Sequence, residues 1–184
     1  MMPVVRISDA TFVELKAIST WLSTKTPSAT IEQLVRDKLQ ELGLERDGSQ
    51  EMEASSPDSV LKFDKAPGLS FTRVLAARIN GKTIERANWA NVLTCMIAAV
   101  KGKGLNVEKL VAELQVPAKA RPYNEEGFRY YEDLGISLQG QSAQDAWREV
   151  DRLARKWKIT VQVDFQWRQN DKAQHPGRTG LLSV

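Results

Sequence analysis

Ile159, Val161, Val163, Phe165 and Trp167 alternate without a break with Thr160, Gln162, Asp164, Gln166 and Arg168. A period of two sustained over this length fixes a strand with one apolar face and one wet face. Such a strand needs a sheet whose apolar side is covered by something else, and the sequence before it supplies amphipathic helices. Ser142 with Asp145 resembles a capping box, and the segment behind it places Ala146, Trp147, Val150, Leu153, Ala154 and Trp157 on one side of a helix.

The preceding elements follow by the same rules. Phe71 to Ile79 reads as a strand, Asn80-Gly81 as a tight hairpin turn, and Lys82 to Arg86 as the return. Asn88 is placed to cap a helix carrying Trp89, Val92, Leu93, Met96, Ile97 and Val100, which ends at Lys101-Gly102-Lys103-Gly104. Asn106 is placed to cap a shorter one with Val107, Leu110, Val111 and Leu114. After a loop bracketed by Pro117 and Pro122, Phe128, Tyr130, Leu134, Ile136 and Leu138 alternate as one further strand. The order ββααβαβ over residues 69–169 implies an α+β domain with a mainly antiparallel sheet covered by helices. Residues 170–184 read as an irregular tail. Residues 45–68, rich in Glu, Asp, Ser, Gly and Pro, read as a flexible acidic linker in which Val60, Leu61 and Phe63 can dock locally.

The first 44 residues form a separate unit. Pro3 to Ser8 is β-compatible, with Val4, Arg6 and Ser8 on one side and Val5 and Ile7 on the other. Ser8 or Asp9 caps a helix bearing Phe12, Leu15, Ile18 and Leu22, with Trp21 beside them. Thr26-Pro27-Ser28 breaks the chain, and Ser28 is expected to cap a second helix with Ile31, Leu34, Val35, Leu39 and Leu42 on its apolar side, stopped at Gly43. A unit this small needs disulfides, a metal or a partner subunit to complete a core. Cys95 and His175 are the only cysteine and histidine, so a dimer is the physical expectation.

This strand, helix, turn and helix resembles the ribbon-helix-helix family of MetJ- and Arc-type repressors, and is similar to the N-terminal oligomerisation module of SeqA-type regulators. The resemblance rests on Val4-Val5-Arg6-Ile7-Ser8, on the helix with Phe12, Leu15 and Ile18, on the break at Thr26-Pro27-Ser28, and on the helix with Ile31, Leu34, Val35 and Leu39. It covers about a quarter of the chain. It implies that two strands, one per subunit, pair into a ribbon that enters the DNA major groove. Val4, Arg6 and Ser8 would then face the bases, Arg6 meeting guanine O6 and N7. The second helix's N-terminus, with Thr26, Ser28 and Thr30, would meet a phosphate. The resemblance further implies a bacterial, transcription-regulator type of protein. One departure stands out: members often carry more basic ribbons, whereas residues 1–44 here hold five basic and five acidic residues.

Charge is uneven along the chain. Residues 45–68 hold three basic and six acidic side chains, and residues 69–184 hold eighteen basic and twelve acidic ones. The basic C-terminal part permits a polyanionic partner. Its most concentrated expression is Arg148, Arg152 and Arg155 along one helix face, with Lys156 beside them, a stripe that suits phosphate contacts but also reads as a solvated face partly neutralised by Glu149 and Asp151. Lys101-Gly102-Lys103-Gly104 lacks the phosphate-loop pattern and reads as a helix-terminating turn. Of the four tryptophans Trp89, Trp147, Trp157 and Trp167, three fall on apolar faces and read as core, and Tyr131 is a surface tyrosine that could stack on a base.

Single Cys and His residues remove most zinc sites and histidine triads, so neither a metal nor another cofactor is expected. Glu132, Asp133 and Asp164 lie on predicted strands and could converge on a metal as nuclease carboxylates do, but no Glu-x-Lys follows on the strand. An enzyme is therefore not expected. No apolar run reaches the roughly 18 residues a membrane span needs, and Met1 to Ile7 has no secretory core, so a cytoplasmic, membrane-free protein is expected. The resulting reading is a sequence-specific or structural DNA-binding protein that dimerises through residues 1–44 and takes duplex DNA as partner. Its rival is an assembly or adaptor protein whose α+β domain binds another protein.

Overall fold

A computed structural model describes residues 6–22, 24, 26–42, 60–63 and 65–184. It is an α+β structure that divides into two units, residues 1–39 and 40–184. No described helix is long and apolar enough to cross a membrane.

The first unit is built on two helices, α1 (Asp9–Trp21) and α2 (Pro27–Leu42). Ser8 caps α1: its Oγ accepts from Thr11 N at 3.2 Å. The second cap differs from expectation. Thr26, not Ser28, takes the role, its Oγ1 accepting from Ala29 N at 3.2 Å. Pro27 then occupies the first helical position, where its missing N–H costs nothing and its fixed φ suits the helix. The turn between the helices is closed by Thr24, whose N donates to Ser19 O (3.0 Å) and whose hydroxyl lies 2.6 Å from that of Thr30. The stop expected at Gly43 and the side chain of Val4 lie outside the described residues.

In the second unit a five-stranded sheet runs in the order β1-β8-β7-β2-β3. Its strands are β1 (Leu61–Lys62), β2 (Thr72–Ile79), β3 (Lys82–Thr83), β7 (Val161–Trp167) and β8 (Thr179–Ser183). All neighbours are antiparallel except β1 with β8. Three helices belong to the same unit: α3 (Trp89–Lys101), α4 (Val107–Glu113) and α5 (Ala143–Trp157). Asn88, Asn106 and Ser142 cap them as expected, each accepting from a backbone N–H three residues on. The β2–β3 turn uses Asn80 (φ 49°) and Gly81 (φ 76°), the pair of left-handed residues that a two-residue hairpin requires.

One core lies between the sheet and α3 and α5. Trp89, Met96, Ile97, Leu153, Val163, Phe165 and Trp167 are all buried in it. The Trp89 indole donates to Thr72 Oγ1 at 3.0 Å, so its polar atom is satisfied inside the core. A bulge between Val74 and Ala76 resolves a conflict of parity in β2. Thr72 and Val74 pair with Trp167 and Phe165, while Ala77 and Ile79 pair with Val163 and Val161. With Leu75 as the extra residue, both sets face the core and Leu75 is left exposed.

Three expectations are corrected here. The segment Phe128 to Leu138 is not one strand but a hairpin, β5 (Phe128–Tyr131) and β6 (Ile136–Gln139), joined at a turn containing Gly135 (φ 68°). With β4 (Ala118–Lys119) it forms a second, three-stranded sheet in the order β4-β6-β5. The tail expected to be irregular carries β8, whereas β1 falls where Leu61 and Phe63 were expected to dock within residues 45–68. The return of the first hairpin is confined to Lys82–Thr83, because Glu85 and Arg86 turn away, Arg86 with φ 50°.

Candidate nucleic-acid interface

In the N-terminal unit, Arg6 and Ser8 are exposed and form no strand within the single chain. A ribbon strand has no partner inside its own subunit, so pairing would come only from a second copy. Ser8 already spends its hydroxyl on the α1 cap and on Thr11 Oγ1, 2.8 Å away. Thr30, expected at a phosphate, is buried, and its hydroxyl is used by Thr24 and by the Thr26 carbonyl at 3.1 Å. It braces the turn from inside. Thr26 and Ser28 remain exposed at the start of α2.

Both helices leave large apolar side chains in solvent. Ile7, Phe12, Val13, Ile18, Ile31, Leu34 and Val35 are all exposed, Val13 at 66% and Val35 at 52%. Leu15 is the one buried hydrophobic side chain among those described in this unit.

On α5 the four expected phosphate-contacting cations are all engaged with carboxylates. Arg148 pairs with Asp145 at 3.0 Å, and Arg155 donates three hydrogen bonds of 2.9–3.0 Å to Asp151. Arg152 is the most deeply committed. Its Nε and Nη2 grip Glu149 at 2.8 and 2.7 Å, and Nη2 also reaches the Glu113 carbonyl at 2.7 Å. Lys156 donates to Glu113 Oε2 at 2.8 Å. Glu149 is only 3% exposed and also accepts from Gln115 N at 3.0 Å.

These contacts join the end of α4 to α5. The Lys156 hydrogen bond is the largest of the causes that hold the Glu113 carboxyl below its ordinary value, while the Glu149 grip raises Arg152. Arg152 and Lys156 therefore serve the fold. The Glu149–Arg152 contact was readable from their spacing on one helix; Glu113 was not, because it arrives from a different helix.

Tyr131 is half-buried and packs against the core, and the Arg129 guanidinium sits 5.6 Å from its ring. Glu132 and Asp133 lie exposed in the β5–β6 turn, in a different sheet system from Asp164 on β7. Among the described residues no group of three or more His, Cys, Asp or Glu side chains is arranged to hold a metal ion. Compared with protein-family models, curated proteins and solved structures, the chain matches none.

Proposed function

We propose that this chain is a DNA-binding protein that dimerises through its N-terminal helices and offers Arg6 to the major groove. One observation carries the reading: among the described residues, seven large apolar side chains on and beside two short helices stand exposed to solvent, and Leu15 alone is buried. Scattered exposed apolar residues need no explanation, but a whole unit without a finished core does. A second copy of the same unit finishes it by supplying an identical, self-complementary face. The ribbon-helix-helix resemblance adds the role of the strand before α1, and Arg6 is its one charged side chain. The role is binding, not catalysis.

The rival reading, assembly without DNA, draws on the neutral charge of residues 1–44 and on the ion pairing of every cation in the α5 stripe. Selection of duplexes from a random-sequence pool by the full-length protein separates the two. The expected result is enrichment of a two-fold-symmetric site. Arg6→Ala then weakens binding to that site by about 2–6 kcal/mol, one bidentate base contact of about 1–3 kcal/mol being lost from each subunit, and Leu34→Asp yields a monomer that no longer binds. A dimer that enriches no sequence overturns the DNA reading and leaves assembly.

A further inference from the structure

Arg148 and Arg155 differ from Arg152 and Lys156 in what lies beside them. They edge a cavity of about 450 Å³ between α5, the end of β8 and the segment that follows β1. Its lining includes Trp147 and Leu182, which are 3% and 2% exposed, together with Phe63 and Lys65. Phe63 is held by the rings around it, edge-on to Trp167 at 5.8 Å and stacked on His175 at 6.2 Å. Phe63 thus supplies the partly exposed apolar wall, with Trp147 and Leu182 closing the cavity behind it.

The charges at the rim are also held in place. Asp151 takes Nε and Nη2 of Arg155, which fixes the guanidinium plane and leaves Nη1 to donate elsewhere. Arg148 is tethered through Nη1 to Asp145 and is 72% exposed. Among the described residues the lining holds Lys65, Arg148 and Arg155 with Asp151, and Asp145 pairs with Arg148 at the rim. The volume lies within the range of roughly 300–1,000 Å³ typical of small-molecule sites, far more than a bare inorganic anion fills. A duplex backbone presents its phosphates on a convex surface and would not fill a recess of this volume.

We propose that this cavity binds a small organic anion, with a flat apolar body against Phe63, Trp147 and Leu182 and a carboxylate or phosphate held by Arg148 and Arg155. Two cations and an apolar wall select for both halves of such a ligand together. The proposal stands independently of the DNA reading, since every residue in it belongs to the second unit.

Calorimetric titration of the full-length protein tests it with four probes: AMP, 2-naphthoate, adenosine and inorganic phosphate. The two organic anions separate a phosphate from a carboxylate headgroup. At least one of them should bind, and at least about tenfold more tightly than adenosine or phosphate alone, a difference of about 1.4 kcal/mol. Arg148→Ala with Arg155→Ala should lower that affinity at least tenfold with an unchanged far-ultraviolet spectrum. Phe63→Ala should weaken it through the apolar half. No binding of either organic anion at about 1 mM overturns the proposal. So does equal binding of adenosine and AMP where AMP is the anion that binds, or an affinity indifferent to the double variant. If the double variant instead reduces the salt slope of duplex DNA binding by about two, with no organic anion bound, the pair contacts DNA phosphates and the proposal falls.

Discussion

The two units solve the same problem of burial with opposite results. In the second, Trp89, Phe165, Leu153 and Trp167 are 1% exposed or less, and the polar atom of each indole has a partner: Trp89 with Thr72 Oγ1, Trp167 with the Gly68 carbonyl at 2.8 Å. In the first, helices with sound caps and regular apolar spacing leave seven large apolar side chains between 36% and 66% exposed, and among the described residues only Leu15 is buried. Local signals are equally good in both. What differs is the number of layers: a sheet with helices closes a core within one chain, and two helices alone do not. Helix formation in the first unit is therefore tied to whatever covers it, which is the physical content of proposing a dimer.

The sharpest break of this comparison is a pair of truncations. Trp89→Ala should lower the stability of the second unit by about 3–5 kcal/mol, read as a shift of the main urea transition. Phe12→Ala, at a position 37% exposed in the single chain, should leave that transition in place and weaken self-association instead. Equal shifts of one transition by both variants would mean that the units fold as a single cooperative body.

Next in size is Arg152→Ala. It strands Glu149, which is 3% exposed, and should cost about 3 kcal/mol, because an uncompensated buried charge is worse than no pair at all. The pH dependence has a definite sign. Glu113 is held below the ordinary glutamate value, so its contribution is complete above about pH 4.3 and is lost as the pH falls through its lower folded value. Lys156→Ala removes the main cause of that depression. Its loss of stability relative to the parent should be full at neutral pH and shrink as both proteins are acidified, which urea titrations across pH 2–7 would read.

Gly180→Ala should cost about 2 kcal/mol. A Cβ at this position would stand 2.5 Å from Cζ of Phe165, its cross-strand partner, so the ring would have to move within a filled core. Phe165→Leu should offset part of the loss when combined with Gly180→Ala. A double variant no better than the sum of the singles would show that β8 is not pinned by that contact.

Gly180 also explains why β8 was not legible. Its strand reads Thr-Gly-Leu-Leu-Ser, and the glycine that lets Phe165 lie against the backbone looks, in sequence, like a loop residue. The β5–β6 hairpin was hidden differently. Phe128, Tyr130, Ile136 and Leu138 keep even spacing across the turn, which mimics one strand. Yet Tyr130 pairs with Ser137, and Arg129 with Leu138, so the two halves of the apparent stripe face opposite sides of the sheet. The caps at Ser8, Asn88, Asn106 and Ser142 and the Asn80-Gly81 turn were legible because each is decided within four residues. In the candidate sites, Arg6 and the α5 stripe could be named in advance. The partners of Arg152 from α4 and the cavity beside Arg148 could not, since Glu113, Phe63, Lys65 and Leu182 are brought there by tertiary packing.

The smallest predicted effect tests the comparison most directly, because it makes the same chemical change in both units. Ser8 and Ser142 cap α1 and α5 with the same hydrogen bond, the N–H three residues on donating to serine Oγ, at 3.2 and 3.1 Å. Replacing either by alanine should remove about 1 kcal/mol of helix stability. Ser142→Ala should pass that loss into the cooperative urea transition, since α5 contributes Trp147, Val150 and Leu153 to the core. Ser8→Ala should leave the transition unmoved and weaken dimerisation about fivefold per subunit, the equilibrium-constant equivalent of about 1 kcal/mol, in sedimentation across a concentration series. A shift of the urea transition by Ser8→Ala, with no change in association, would show that α1 draws its stability from its own chain and not from a second copy.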